Sequence, residues 1–164
     1  MCSAGSGKWN LASQIVAVDA VAEVLKLNEQ RVNSAKVHYL QANIFTLQLA
    51  EQFDEIFFSF WLSHVPGEYF EGFWQTVARL LKPGGRVFFI DSCFEPSSTA
   101  KDQQLKDRRQ ETTLRRLNDG RQFQIYKIFY EPQQLQERLN GLGWKMKVEE
   151  TPHYFIFGNG EFSG

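Results

Sequence analysis

The chain has few cysteines, no excess of basic residues and no long apolar run. Its 164 residues include only Cys2 and Cys93 as cysteines, too few and too scattered for a disulfide framework or a thiolate metal site. The formal net charge of -1 gives no long-range attraction to nucleic acid or to an anionic membrane. No stretch of about 18 apolar residues is present, and the N-terminus lacks the regions of a signal peptide. We therefore expect a cytoplasmic chain with no metal site, no nucleic-acid partner and no membrane partner.

Aromatic residues are abundant instead. They make up 15% of the chain, and phenylalanine alone accounts for 15 residues. Rings of this size suit a core or a pocket built from aromatic contacts. A chain of this length can bury such a core as one unit, so the sequence predicts a single domain over residues 1–164.

Short apolar runs alternate with helical patterns along the first half of the chain. Apolar runs end at Asp19, Leu40, Phe60 and Asp91, and helical spacing covers Ala22 to Val32 and Glu68 to Leu81. This alternation predicts an α/β fold of the Rossmann-like, doubly wound type, with a mostly parallel sheet and helices on both faces. The strands that end at Asp19, Leu40 and Phe60 should then bring their carboxyl ends to one edge.

The second half is more polar. Cys93 to Leu117 predicts a loop followed by an exposed helix, and Phe123 to Tyr130 predicts extended chain. A helix should open at Pro132 and end at Gly143, before two adjacent strands at Lys145 to Glu150 and Tyr154 to Gly158. The charges of residues 101–121 form either a solvated surface or a substrate cap that meets an anionic group. The candidate arginines of such a cap are Arg108, Arg109, Arg115 and Arg116.

A glycine-rich turn opens the chain at Gly5-Ser6-Gly7-Lys8, and Asp19 ends the first complete apolar run. Glycine lets the backbone approach a ligand closely, and an acid at a strand end can accept hydrogen bonds from ribose hydroxyls. The turn does not match a P-loop, because Cys2 and Trp9 occupy the first and last positions that the P-loop motif demands. It also departs from a dinucleotide site, because Asn10 takes the third glycine position and Asp19 follows too soon.

Six short motifs occur in an order that resembles class I S-adenosylmethionine-dependent methyltransferases. They are Gly5-Ser6-Gly7-Lys8-Trp9, Val18-Asp19-Ala20, Gln41-Ala42-Asn43-Ile44-Phe45, Phe53-Asp54-Glu55-Ile56, Phe60-Trp61-Leu62-Ser63-His64-Val65-Pro66 and Leu81-Lys82-Pro83-Gly84-Gly85-Arg86-Val87. The resemblance implies S-adenosylmethionine as cofactor, a small-molecule methyl acceptor and an antiparallel C-terminal strand. It also implies the cofactor-binding residues Ser3, Gly5, Gly7, Trp9, Asp19, Ala20, Asn43, Ile44, Ser59 and Phe60. Asn43 departs from the acid that the family usually has there, although its side-chain oxygen can still accept a hydrogen bond.

His64 is the candidate catalytic residue, because it is the ionisable group of the loop that follows the fourth strand of the resemblance. An imidazole with a pKa near 6.5 can accept a proton from a hydroxyl or a carboxylic acid near neutrality. The alternative is that His64 lines the pocket or packs on the cofactor. His38 and His153 have no metal partner at ligand spacing.

Only three residues precede Ala4, so the first strand of the resemblance is expected to be largely missing from an N-terminally truncated domain. Two other functions therefore stay open. One is a non-catalytic remnant that keeps the methyltransferase fold, and the weaker one is an NAD(P)-dependent oxidoreductase. The sequence names neither the methyl acceptor nor the atom that is methylated.

Overall fold

A computed structural model of the protein describes residues 12–94, 111–117 and 119–164, and the chain divides into two compact units, Met1–Leu49 and Ala50–Gly164. The described part of the first unit contains β1 (Ile15–Asp19), α1 (Ala22–Val32) and β2 (Val37–Gln41). That of the second contains β3 (Phe53–Ser59), α2 (Phe70–Leu80), β4 (Leu81–Ser92), β5 (Thr112–Arg116), β6 (Gln122–Tyr126), α3 (Pro132–Gly141), β7 (Trp144–Glu150) and β8 (Phe155–Phe162).

The first unit is a strand–helix–strand crossover. β1 and β2 pair in parallel with Asp19 opposite Gln41, so their carboxyl ends lie side by side as predicted. α1 has the predicted bounds and ends at Asn33, which adopts the left-handed conformation that ends many helices. Of its apolar residues only Leu25 is buried, whereas Val24 and Leu27 are exposed.

The second unit is built on a mixed sheet in the order β3-β4-β8-β7. β3 and β4 run parallel, and β8 runs antiparallel to both β4 and β7, which confirms the predicted antiparallel C-terminal strand. The backbone N–H groups of Met146 and Val148 on the edge strand β7 donate to Asn140 Oδ1 and Gln136 Oε1 of α3. These two donors are thereby kept from pairing with another strand.

The core of this unit consists largely of rings, as the composition predicts. Phe58 on β3 stacks on Phe89 of β4 with ring centroids 5.7 Å apart, and it meets Phe73 of α2 edge-on at 5.2 Å. Trp74 of α2 is fully buried and lies edge-on to Trp144 at 5.0 Å. Aromatic pairs in these arrangements contribute about 0.5–1.5 kcal/mol each beyond the area that they bury. The ring cluster therefore fixes α2 on the sheet.

The prediction of an exposed helix within the polar segment Cys93 to Leu117 is wrong in part. Residues 112–116 form strand β5, which pairs antiparallel with β6 as a hairpin with Thr112 opposite Tyr126. The rest of the predicted helix, residues 95–110, lies outside the described residues, and so do Arg108 and Arg109. The extended chain predicted over Phe123 to Tyr130 is confirmed as far as Tyr126, where β6 ends. Two positively charged side chains of the segment, Arg115 and Arg116, therefore follow one another on a strand.

The predicted shortfall of the first strand also concerns residues outside the described part, since the description begins at Ala12. It stays a prediction, as does the assignment of all 164 residues to one domain. Among the described residues, no helix combines the length and the apolar character needed to cross a membrane.

Two glycines of the second unit should respond oppositely to an added methyl group. At Gly160 on β8, a Cβ would collide with the backbone oxygen of Lys145, whereas at Gly72 on α2 nothing lies within 4 Å. We expect Gly160→Ala to lower the free energy of unfolding by about 1–3 kcal/mol, the usual cost of overpacking. Gly72→Ala should raise it by about 0.5–1 kcal/mol, because alanine favours a helix. Urea denaturation of both variants measures the difference, and an unchanged Gly160→Ala variant would contradict the β7–β8 register.

Candidate active site

Asp19 lies at the carboxyl end of β1 and is half-buried. Its Oδ1 accepts a hydrogen bond of 2.8 Å from the backbone N–H of Val21, which orders the turn into α1. Within the described part of the chain, its other carboxylate oxygen has no hydrogen-bond partner. A carboxylate accepts hydrogen bonds at both oxygens, so this side chain has the capacity to bind a hydroxyl pair such as that of a ribose.

The neighbouring strand end brings the second group of predicted cofactor residues close to Asp19. The backbone N–H of Ala42 donates to the carbonyl of Asp19 at 3.0 Å, and Gln41 Nε2 donates to the carbonyl of Ala20 at 3.2 Å. Asn43 is exposed, and its Oδ1 accepts the N–H of Phe45 at 3.0 Å. Among the described residues, the second lone pair of that oxygen and the side-chain NH₂ group have no hydrogen-bond partner. Ile44, half-buried, follows directly.

Four predicted cofactor residues, Ser3, Gly5, Gly7 and Trp9, lie outside the described residues. The described part of the first unit therefore brings together Asp19, Ala20, Asn43 and Ile44. The polar groups of these residues fit the ribose and base of a nucleoside-type cofactor.

In the second unit, β3 ends at Ser59 beside Ile90 of β4, and Phe60 follows with a positive φ of 52°. This conformation is unfavourable for a bulky side chain, and it persists where the surrounding structure over-determines it. The Phe60 N–H donates to the carbonyl of Ile90 at 2.8 Å, and its ring, 43% exposed, meets Phe155 edge-on. The strained turn thus presents an aromatic surface at the carboxyl edge of the sheet.

His64 lies in a short 3-10 turn, Leu62–His64, that follows this strand. Its Nδ1 is 2.6 Å from the backbone carbonyl of Tyr126 at the end of β6. A carbonyl oxygen only accepts hydrogen bonds, so Nδ1 carries the proton and donates, and in the neutral ring Nε2 carries the lone pair. The imidazole is therefore held in the tautomer whose free nitrogen, Nε2, is an acceptor.

The pKa of His64 is lowered from its ordinary value of 6.5. Burial is the main cause, and the Tyr126 hydrogen bond, the next largest effect, raises the pKa against it. The Lys127 cation lowers the pKa, the Asp91 carboxylate raises it, and the Arg115 cation lowers it. The ring is consequently neutral at pH 7, which is the form that can take up a proton.

A buried polar cluster that the sequence analysis did not single out lies behind this turn. Lys127 and Asp91 are 5% and 1% exposed, and Lys127 Nζ is 3.5 Å from Asp91 Oδ1. Lys127 also donates to the hydroxyl oxygens of Ser63 at 2.8 Å and Ser92 at 3.2 Å. Asp91 in turn accepts the backbone N–H of Ser63 at 2.9 Å and of Ser92 at 2.7 Å. Every polar group of the cluster thus has a partner.

The chain carried a partial signal for this cluster. Asp91 ends an apolar strand as Asp19 does, and Lys127 interrupts the apolar run from Ile125 to Phe129. Neither feature says that two residues 36 positions apart form a pair.

Comparison with known proteins identifies similar chains. A sequence model described as a methyltransferase domain matches residues 2–89. The solved structure titled "DhpI-SAM-HEP complex" is 33% identical, covers 96% of this chain and 74% of its own, and has a TM-score of 0.79. A second, titled "DhpI-SAH complex structure", is 32% identical with coverages of 94% and 68% and a TM-score of 0.77.

A curated relative from wheat, Triticum aestivum, is named phosphoethanolamine N-methyltransferase 1. It is 29% identical over 96 residues, which are 55% of this chain and 19% of the wheat protein. The match therefore spans about a fifth of the wheat protein's length, and it extends the likeness to a further methyltransferase.

Proposed function

The chain belongs to the family of S-adenosylmethionine-dependent methyltransferases, and from that premise we propose that it transfers a methyl group to a small-molecule acceptor. S-adenosylmethionine is the cofactor of the family. When bound, it supplies a methyl group made electrophilic by the positively charged sulfonium. The protein then has to hold the cofactor, align the acceptor and remove a proton where the acceptor carries one.

Cofactor binding is the role we propose for the predicted residues of the first unit. Asp19 binds the ribose hydroxyls through the carboxylate oxygen that the turn leaves available, and Asn43 and Ile44 contact the adenine. Ala20 lies beside Asp19, and the turn that contains Ser3, Gly5, Gly7 and Trp9 carries the rest of the cofactor. For Ser59 and Phe60 of the second unit, a role in cofactor binding stays a prediction.

Proton removal is the role we propose for His64. The single observation that carries it is the hydrogen bond from Nδ1 to the Tyr126 carbonyl, because it leaves Nε2 as the acceptor on a neutral ring. Nε2 then takes the proton that a hydroxyl, a carboxylic acid or an ammonium group loses when its oxygen or nitrogen is methylated.

The acceptor, in this proposal, carries an anionic group. Two observations support it: the cation of Arg115 acts on His64, and the wheat relative is named for a phosphate-bearing substrate. Arg115 is exposed on β5, where a guanidinium can bind a phosphate, phosphonate or carboxylate through two hydrogen bonds. This extends the interpretation of the arginine-rich segment as a substrate cap.

The test is a pair of matched acceptors, each assayed with and without its anionic group, on wild type, Arg115→Gln and Arg116→Gln. Hydrogen bonds to charged groups contribute about 1.5–3 kcal/mol, so Arg115→Gln should raise the KM of the anionic acceptor about tenfold or more and change kcat little. Arg116→Gln is the control, because its side chain points to the other face of the strand. Equal KM values for wild type and Arg115→Gln would refute the role of Arg115, and equal KM values of wild type for the acceptors with and without the anionic group would refute the anionic acceptor.

The matching sequence model and the wheat relative are both named as methyltransferases, and neither supports the nicotinamide-dependent alternative. The non-catalytic alternative predicts cofactor binding without methyl transfer, so the same assay separates it from the enzyme. A cytoplasmic location stays a prediction.

A further inference from the structure

The buried cluster of Asp91, Lys127, Ser63 and Ser92 is more elaborate than the packing of this region requires. Two charges are removed from water, and a buried ion pair is often no more stabilising than apolar side chains of the same volume. The cluster is nevertheless complete, with three oxygen acceptors within 3.5 Å of Lys127 Nζ. The contacts that the cluster makes to the turn before His64 indicate a role beyond stability.

The cluster holds Ser63, the residue before His64, by two atoms, and the backbone of Ile128 holds a third. The Ser63 N–H donates to Asp91, its hydroxyl oxygen accepts from Lys127, and its carbonyl accepts the N–H of Ile128 at 2.8 Å. His64 in turn donates to the carbonyl of Tyr126. Two consecutive residues of the turn, Ser63 and His64, therefore bond to the three consecutive residues Tyr126 to Ile128. Lys127 lies between Tyr126 and Ile128, which bond to the turn through backbone groups, and it bonds to the turn through its side chain.

We propose that Lys127 is a positioning residue for methyl transfer, which locks Ser63 so that His64 keeps its Nδ1 hydrogen bond to Tyr126 and offers Nε2 as the proton acceptor. The proposal rests on the proposed function, since it assigns Lys127 a part in the step carried out by His64. Lys127 acts through the turn and the imidazole, and it needs no contact with the acceptor.

Three charges act on His64. Lys127 follows β6, Arg115 lies on β5, and both cations lower the pKa of His64; Asp91 at the end of β4 raises it. Removal of the Lys127 cation takes away a lowering effect and leaves the Asp91 carboxylate unbalanced. The pKa of His64 should therefore rise, and the acid limb of the rate profile should move to higher pH by the same amount.

The experiment compares wild type, Lys127→Met and the neutral double variant Lys127→Met/Asp91→Asn, with Lys145→Met on the exposed face of β7 as control. Nitrogen NMR of ¹⁵N-histidine protein, without cofactor or acceptor, reports the tautomer and pKa of each of the three histidines. His64→Gln identifies the signal of His64. Steady-state kinetics across pH 5–9 then report kcat and KM. The double variant removes the uncompensated charge, so it serves if Lys127→Met does not fold.

We expect the wild-type His64 signal to show Nδ1–H with a pKa below 6.5, and the control to match it. In Lys127→Met the tautomers should mix, the pKa should rise, and kcat should fall about 100-fold, as for a misplacement of about 1 Å, with KM changed far less. In the double variant the tautomers should also mix. An unchanged tautomer in both variants overturns the proposal, whatever the activity. Absence of methyl transfer in wild type overturns the proposed function instead, and the NMR result still decides whether Lys127 positions His64.

Discussion

Replacing Asp19 with alanine should remove most of the stabilisation that S-adenosylmethionine gives to the folded chain. A ligand at about 100 times its dissociation constant raises the free energy of unfolding by about 2.7 kcal/mol. Each hydrogen bond that a ribose hydroxyl makes to the carboxylate contributes about 1.5–3 kcal/mol to binding. The loss of these hydrogen bonds brings the variant close to no ligand shift at the same concentration.

The control for this experiment is Asp19→Asn. Its side-chain oxygen can still accept the Val21 N–H, so the turn into α1 should survive, while the second carboxylate oxygen is replaced by a donor. Thermal melting without ligand, with S-adenosylmethionine and with NAD gives two ligand-induced shifts in melting temperature for each protein. Wild type should shift with S-adenosylmethionine more than with NAD, Asp19→Asn should melt like wild type without ligand, and both variants should lose the shift. A full shift in Asp19→Ala would refute the role of Asp19.

Removing the Lys127 cation alone should have the largest effect on stability. Breaking a buried ion pair leaves a buried charge without its partner, which costs about 3–5 kcal/mol. Lys127→Met would leave the Asp91 carboxylate in that state, since Asp91 is 1% exposed. A loss of this size is a large share of the 5–15 kcal/mol by which domains are usually stable.

Two comparisons make the effect specific to burial. The double variant Lys127→Met/Asp91→Asn should recover part of the loss, because no uncompensated charge remains and the asparagine oxygen still accepts a backbone N–H. Lys82→Met breaks the pair of Lys82 with Asp54, whose 2.9 Å separation is shorter but whose side chains are exposed. Exposed pairs contribute about 0–1 kcal/mol. Urea denaturation that showed Lys127→Met and Lys82→Met equally destabilised would contradict the buried pair.

Sequence patterns predicted those elements whose evidence is local. The bounds of α1 match the structure because its helical spacing is a feature of consecutive residues. The β5 strand was missed because Thr112 to Arg116 has neither apolar alternation nor flanking turn residues on both sides. Its strand character comes from pairing with β6, which lies on the other side of a turn.

The residues of the site also differ in whether their evidence is local in the sequence. Asp19 and Asn43 could be located as strand ends, and their neighbourhood in the first unit follows from parallel pairing. The tautomer of His64 could not be predicted, because its partner is the carbonyl of Tyr126, 62 positions along the chain. The Asp91–Lys127 pair could not be predicted for the same reason. A buried lysine within an apolar run indicates that a partner exists, although not which residue it is.

The central claim is that this chain moves a methyl group from S-adenosylmethionine to an anionic small molecule. The chain is incubated with ¹³C-methyl-labelled S-adenosylmethionine and the matched acceptors that carry the anionic group. Mass spectrometry then follows the label and the demethylated cofactor. We expect label in an acceptor, equal amounts of demethylated cofactor, and a much slower transfer in His64→Gln. Tight binding of the labelled cofactor with no label in any acceptor would contradict it and favour the non-catalytic alternative.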